Sequence, residues 1–280
     1  MGRTATSHEA RCELLRRVLG ELSDCLVAFS GGVDSSVLLH AASGVLGDRA
    51  AGFVADSPSL PRAALATARS FARETGARLF VRRTAELENE GYRANGPERC
   101  YFCKRTLFDD MLTLAHREGF TTLAFGEITD DLDDLRPGAR AARERGVVAP
   151  LREAGFGKAD VRAYARDHGL SVADEPASAC LASRIPHGTP VTRGRLARVE
   201  RSEGTLRALG LRVLRVRNRG RLARVEVGPD ELAFARENGG TIRDLLAAEG
   251  FERVELAVYR TAGAKAPRSE SRELDPPAGC

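Results

Sequence analysis

The chain has 280 residues, with 43 basic against 39 acidic side chains, a formal net charge of +4 and 42% hydrophobic residues. That length holds one large or two ordinary domains with a sizeable core. So even a charge balance gives no argument for nucleic acid, the absence of Trp argues against a base-stacking surface, and no apolar run is long enough for a membrane helix.

Met1 to Arg17 has no apolar signal core and reads as a polar lead-in to a helix, so the cytoplasm is the expected location. Cys25 to Phe29 reads as a buried strand that stops at Ser30-Gly31-Gly32, and a helix carrying Val37, Leu38 and Leu39 follows. Ala51–Ala55 is a second strand, Pro61 to Gly76 a helix with Gly76 as its stop, and Arg78–Val81 a third strand. Lys104 to Gly119 reads as a helix preceded by Cys100-Tyr101-Phe102-Cys103, Thr121–Phe125 as a fourth strand ending at Gly126, and Lys158 to Gly169 as a further helix. Strands alternating with helices predict an α/β fold with a doubly wound, mainly parallel sheet. Ligands of such sheets bind beyond the carboxyl ends of strands, where Ser30, Asp56 and Gly126 stand.

The character changes after Pro176. Leu211–Val216 and Arg221–Val227 read as two strands joined at Asn218–Gly220, with helices over Arg195–Leu209 and Pro229–Asn238 and a last strand over Arg253–Tyr259. The expected organisation is a nucleotide domain over 1–175, a smaller α+β domain over 176–265 and a disordered Pro- and charge-rich tail over 266–280.

A strand, a glycine turn and a helix N-terminus make an anion site, because unpaired N–H groups and the positive helix end converge there. In Ser30-Gly31-Gly32-Val33-Asp34-Ser35-Ser36 the glycines permit close backbone approach and the serines add hydroxyls. Asp34 repels phosphate, so it points to a bound Mg²⁺ or to a role in orienting the backbone. The string lacks the ending of a Walker A loop. It resembles the PP-loop of ATP pyrophosphatases, which cleave ATP between the α- and β-phosphates.

Six cysteines in a chain this long do not form a disulfide scaffold. Cys100, Cys103 and Cys180 stand apart from Cys12, Cys25 and Cys280, which are poorly placed for chemistry. The residues alone admit several readings: a redox dithiol, a zinc site seeking a fourth ligand, a 4Fe-4S cluster with one open iron, or unrelated cysteines.

The stretches SGGVDSS at Ser30–Ser36, ADSPSLP at Ala55–Pro61, NGPERCYFCKRTLF at Asn95–Phe108, the run from Asp130 to Lys158 that contains RPGARAA and ends in GFGK, the run from Glu175 to Thr192 that contains CLASRIPHGTP, and LRVRNRGRLARVEV at Leu214–Val227 resemble the LarE family of ATP-dependent sulfur transferases. The resemblance implies conversion of pyridinium-3,5-biscarboxylic acid mononucleotide to its bis-thiocarboxylate for the nickel-pincer cofactor. It implies Cys180 as the sulfur-handling residue, Asp34 as catalytic, and Ser30, Gly31, Gly32, Asp34, Ser35, Ser36, Asp56 and Gly126 around ATP and Mg²⁺. Some members sacrifice the lone cysteine as sulfur donor. This chain has the C-x-x-C pair as well, and so resembles the subgroup in which three cysteines, here Cys100, Cys103 and Cys180, hold a 4Fe-4S cluster.

Period two puts Arg215, Arg217 and Arg219 on one face of a strand, and Arg224 and Glu226 on one face of the next. Adjacent guanidinium groups repel unless an anion lies among them, so this face is either a solvated hairpin surface or a phosphate site. The resemblance favours substrate phosphate at Arg215 and Arg217, with Arg184, Glu203, Glu226 and Arg260 nearby. Asp131, Asp134 and Arg136 are open between metal, substrate and loop roles. The expected partners are a small mononucleotide, a sulfide donor and a second copy of the chain. Competing readings are a cluster-dependent tRNA thiolation enzyme, an amidating ligase of the same superfamily and a degenerate nucleotide-binding domain.

Overall fold

The computed structural model describes residues 7–131, 137–175 and 179–259 together with the backbone of 272–273. The described residues divide into two compact units, one of residues up to 92 and 96–178, the other of residues 93–95 and those from 179 onward. Asp134, Arg136, Arg260 and most of the expected tail lie outside the described residues.

The first unit runs α1 (His8–Gly20), β1 (Cys25–Ala28), α2 (Val33–Leu46), β2 (Ala50–Asp56), α3 (Arg62–Thr75), β3 (Leu79–Arg83), the single turn α4 (Glu90–Arg93) at its margin, α5 (Arg99–Glu118), β4 (Leu123–Phe125), α6 (Pro137–Arg143), the turn α7 (Pro150–Glu153) and α8 (Lys158–Asp167). The four strands form one parallel sheet in the order β3-β2-β1-β4. Alternation along the strands divides the interior in two. Cys25, Val27, Phe29 and Val54 face a core shared with α1, α2, α3 and α8, while Leu26, Ala28, Ala51 and Phe53 face Phe108, Met111 and Leu114 of α5 on the other side. This is the helix-on-both-faces sheet that strand–helix alternation predicts.

The chain runs outward from β1 through β2 to β3, then returns to place β4 on the other side of β1. The strand order therefore reverses between β1 and β4, and the carboxyl ends of the strands at such a reversal are the general ligand position of these sheets. Gly76 takes a left-handed φ of +70° and ends α3, as its sequence position predicts.

One boundary differs from the sequence reading. The C-x-x-C pair does not precede α5 but lies in its first turns, because the helix starts at Arg99. Tyr101 packs against the core containing Phe108, so the apolar stripe continues back past Lys104 by one turn.

The second unit contains α9 (Arg193–Ala208), β5 (Leu214–Arg219), β6 (Leu222–Val227), α10 (Leu232–Glu237), α11 (Gly239–Ala248), β7 (Arg253–Val258) and the backbone of β8 (Arg272–Glu273). The sheet order is β5-β6-β7-β8, with β5–β6 antiparallel and β6–β7 parallel. Leu214, Val216, Ala223, Val225, Val254 and Leu256 line one face and pack on Leu206 of α9, Ala235 of α10 and Ile242 and Leu246 of α11. The hairpin turns at Gly220-Arg221, one residue later than expected, since Arg219 still pairs with Leu222. Gly220 carries the positive φ of +74° that a two-residue hairpin loop needs.

Candidate functional site

The Ser30–Ser36 segment leaves the sheet where β1 ends. Phe29 N–H still donates to Phe53 O at 2.8 Å, and Ser30 is the first residue beyond the ladder. Gly31 has φ +78°, and a Cβ there would lie 3.1 Å from Ala64 O, so a side chain at this position would be strained and crowded. Ser35 Oγ donates to Gly32 O at 3.0 Å, accepts from Ser30 N–H at 3.2 Å and lies 3.2 Å from Ser30 Oγ. These two hydroxyls fasten the loop, and the first N–H groups of α2, before Ser36 N–H donates to Gly32 O at 3.0 Å, are those a helix leaves without an intrahelical acceptor. Ser36 Oγ is fully buried in that turn with no hydrogen-bond partner. An orphaned hydroxyl beside an open helix N-terminus, with no Cβ at Gly31, fits a bound phosphate chain.

Gly126, at the end of β4, forms the opposite wall. A Cβ there would stand 3.0 Å from Ser35 N and 3.1 Å from the Asp34 carbonyl carbon. Its place in the site is thus close backbone approach. Asp56, at the end of β2, is held by Arg62, which also donates to the carbonyls of Ser57 at 2.8 Å and Leu60 at 2.9 Å and so folds the following loop.

Asp34 brings in a residue that the sequence reading did not single out. Lys158, the first residue of α8, donates its ammonium to both carboxylate oxygens of Asp34 at 2.8 Å each. Nothing local to Asp34 announces a partner 124 residues away. The available signals were that a helix opens with lysine where acidic residues are favoured and that Lys158 ends the Asp130–Lys158 stretch of the resemblance. The N-terminus of α8 is itself fixed by carboxylates: Lys158 N–H donates to Asp130 at 2.8 Å and Gly157 N–H to Asp160 at 3.0 Å. Asp160 is also held by Arg11 at 2.8 Å. Burial opposes its ionisation, yet the Gly157 N–H and Arg11 bonds outweigh that and hold its carboxyl below the ordinary range.

Cys100 and Cys103 occupy successive turns of one face of α5, Cys100 exposed and Cys103 half-buried. An Arg99 N–H points at Cys100 Sγ from 4.0 Å. Two such thiols fit as ligands of a metal or cluster. Within either unit, no group of three or more His, Cys, Asp or Glu is gathered for a metal ion among the described residues. Cys25 is a different case: burial pushes its thiol up to about 12, which leaves it inert.

In the second unit Cys180 caps the short helical turn Leu181–Arg184 and is half-buried. Arg184 is only 3% exposed. Its guanidinium donates to Ala179 O at 2.7 Å, to Cys180 O at 3.2 Å and to Glu203 at 2.8 and 3.3 Å. The sequence reading left this side chain open between substrate and a structural role; here it holds the backbone that carries Cys180. Glu203, wholly buried, also accepts from Arg207 at 3.0 Å and from Val216 N–H at 3.2 Å. A second organiser, Asn95, was missed. It is buried with φ +55°, and its amide donates to Pro186 O and Thr189 O, both at 2.8 Å. Its tolerance of the left-handed region and the Asn95-Gly96 dipeptide were the available signs.

The polar face of β5–β6–β7 carries Arg215, Arg217, Arg224, Glu226 and Glu255. Arg217 donates to Glu226 at 3.0 Å and to Ser183 O at 2.8 Å, and Arg224 donates to Glu255 at 2.9 Å. Arg215 lies over the Tyr259 ring at 4.4 Å. Burial, with the nearby Arg184 and Arg217 charges, lowers its pKa from the ordinary arginine value. Arg219 is exposed at the strand end. The face is therefore a partly buried lattice of arginines and carboxylates.

No protein-family model matches the chain. An uncharacterised protein of Synechocystis is 42% identical over 224 residues, covering 80% of this chain and 84% of the relative. The pyridinium-3,5-bisthiocarboxylic acid mononucleotide synthase of Lactiplantibacillus plantarum is 36% identical over 210 residues, covering 75% of this chain and 76% of the relative. An uncharacterised protein of Methanocaldococcus jannaschii is 28% identical over 169 residues, covering 60% and 66%. With the second of these likenesses extending over three-quarters of both sequences, the chain belongs to the LarE family, that of the bisthiocarboxylic acid mononucleotide synthase.

Proposed function

We propose that this chain is an ATP-dependent sulfur transferase that adenylylates the carboxylates of pyridinium-3,5-biscarboxylic acid mononucleotide and converts them to thiocarboxylates for the nickel-pincer cofactor. The relative from Lactiplantibacillus plantarum, named for the bisthiocarboxylic product, supports the substrate class. The observation that carries the reaction type is the Ser30–Ser36 loop at the strand-order reversal, with Gly31 stripped of a side chain and Ser36 Oγ buried and unsatisfied.

The chemistry follows from a poor electrophile. A carboxylate resists attack and hydroxide leaves badly. A carboxylate oxygen attacks the α-phosphorus, the bond from that phosphorus to the bridging oxygen breaks, and the electron pair departs with pyrophosphate. Hydrosulfide then attacks the mixed anhydride, and AMP leaves with the former carboxylate oxygen, giving the thiocarboxylate and a proton. The loop backbone receives the phosphates, and Asp34 is the residue that would hold a Mg²⁺, which supplies charge neutralisation when bound. Arg215 and Arg217 bind the mononucleotide phosphate, and Arg184 and Glu203 position the Cys180 backbone.

For sulfur, Cys100, Cys103 and Cys180 are the thiolates that would hold a 4Fe-4S cluster, which supplies an iron open to hydrosulfide. The C-x-x-C pair on one helix face favours this over a sacrificial Cys180, which would leave Cys100 and Cys103 without a role. Anaerobic purification with iron and sulfide analysis tests it. Each single Cys→Ala change is expected to lose the cluster and sulfur transfer together while keeping AMP formation. A mass loss of one H₂S at Cys180 during turnover, with no iron present, would establish the sacrificial route instead.

A further inference from the structure

The first two turns of α5 are charged against the usual preference of a helix. A helix N-terminus carries partial positive charge and favours acidic side chains, yet the first turn of α5 holds none. Arg99 opens the helix, and Lys104 and Arg105 follow in its second turn. Glu98, just before it, is engaged by Arg140. Cys100 and Cys103 thus share two turns with three cations and the positive end of the dipole.

Arg99 differs from the other cations in its setting. Lys104 lies over the Phe108 ring at 5.7 Å, Arg105 over Phe102 at 5.2 Å and Arg140 over Tyr101 at 4.1 Å, so these three lie against aromatic faces. Arg99 is only 7% exposed, and one of its N–H groups reaches Cys100 Sγ at 4.0 Å. Its backbone N–H donates to Gly96 O at 3.0 Å, which fixes the root of the side chain. A charge buried at that distance from a sulfur is screened far less than one in solvent. Net charge and donors aimed at the sulfurs are what set the properties of a cluster.

We propose that Arg99 is a positioning residue for sulfur delivery, which steadies the Cys100 sulfur and offsets the negative charge that gathers when hydrosulfide joins three thiolates at the cluster. The inference rests on the cluster reading above and adds to it a residue outside the thiolate set. Three thiolates already surround the cluster with negative charge, and a fourth anionic ligand raises it further. Arg99 meets that charge with one that stays protonated. Binding forms one iron–sulfur bond, displaces solvent and moves no proton.

Anaerobic titration of the cluster-loaded full chain with sulfide, followed by the visible absorption of the cluster, tests this. Imidazole serves as a neutral ligand for the same iron. Arg99→Gln is expected to weaken hydrosulfide binding about tenfold or more, while imidazole affinity changes less than about twofold. Arg99→Lys, which keeps the charge, should bind hydrosulfide within about threefold of the wild type. Iron content and thermal melting are read on each variant, and Arg99→Met, which keeps an apolar stem, carries the comparison if Arg99→Gln loses the cluster. Loss of iron from both neutral variants would make Arg99 a structural residue and overturn the proposal. Equal weakening of hydrosulfide and imidazole, or unchanged hydrosulfide affinity in Arg99→Gln beside a wild type that holds the cluster, overturns the role of Arg99 alone. A wild type that holds no iron overturns the cluster reading and this inference with it.

Discussion

The Ser30–Ser36 loop and the polar face of β5–β7, the two anion sites proposed above, are built in opposite ways. The loop carries one charged side chain, Asp34. Its donors are backbone groups; Ser30 and Ser35 spend their hydroxyls bracing the loop, and Ser36 Oγ stays unsatisfied. The sheet face uses guanidinium groups instead: Arg217 is aimed by Glu226 and Ser183 O, Arg224 by Glu255, and Arg215 lies over the Tyr259 ring. A loop of that kind tolerates little change in shape, because the geometry of the chain is the instrument. The face tolerates shape changes better and depends on charge balance.

The largest effect should come from the hub of the second unit. Glu203→Ala leaves Arg184 buried without its counter-charge and should cost about 3–5 kcal/mol of stability, read by chemical denaturation. A loss below about 1 kcal/mol would mean that the pair is dispensable. In the loop, Ser35→Ala removes the brace between Ser30 and Gly32. AMP formation should fall about 100-fold with an unchanged melting temperature. A change confined to stability would contradict a geometric role.

On the sheet face, Arg215→Ala and Arg217→Ala should each weaken binding of the pyridinium mononucleotide by about 1.5–3 kcal/mol and leave ATP binding alone. Equal, small effects on both ligands would mark the face as ordinary solvated surface. The smallest effect is electrostatic and far from both sites. Asp24 is opposed by burial, but the Thr121 hydroxyl and the Thr121 and Thr122 N–H groups lower its pKa from the ordinary carboxylate value. Its contribution is present above the unfolded-state pKa of an aspartate and is lost as pH falls through the lower folded value. Asp24→Asn should therefore cost about 1 kcal/mol at neutral pH and flatten the acid limb of the stability profile. An unchanged acid limb would contradict that linkage.

What the sequence made legible were features written locally. The strand–glycine–helix succession at Ser30–Ser36 announces itself, as do the stop at Gly76 and the period-two arginines of β5. The α/β reading of the first unit was legible for the same reason, since a buried strand such as Cys25–Ala28 is continuously apolar. What stayed hidden depends on chain return. Lys158 and Asp34 meet only once α8 folds back on α2, and Arg184 finds Glu203 across a helix boundary. For Arg184 the letters left substrate and structural roles equally open, and its burial and its bonds to the Ala179 and Cys180 carbonyls come only from the folded chain. The start of α5 was misplaced because Tyr101 continues a stripe that Cys100 and Cys103 interrupt with small polarizable side chains.

Isotope transfer tests the central claim most directly. The pyridinium biscarboxylate is prepared with ¹⁸O in its carboxylates and incubated anaerobically with ATP, Mg²⁺, sulfide and the cluster-loaded protein. The account predicts AMP and pyrophosphate in equal amounts, with one ¹⁸O in the phosphate of each AMP for every thiocarboxylate formed. Unlabelled AMP beside thiocarboxylate product, or ADP and orthophosphate in place of AMP and pyrophosphate, would contradict it.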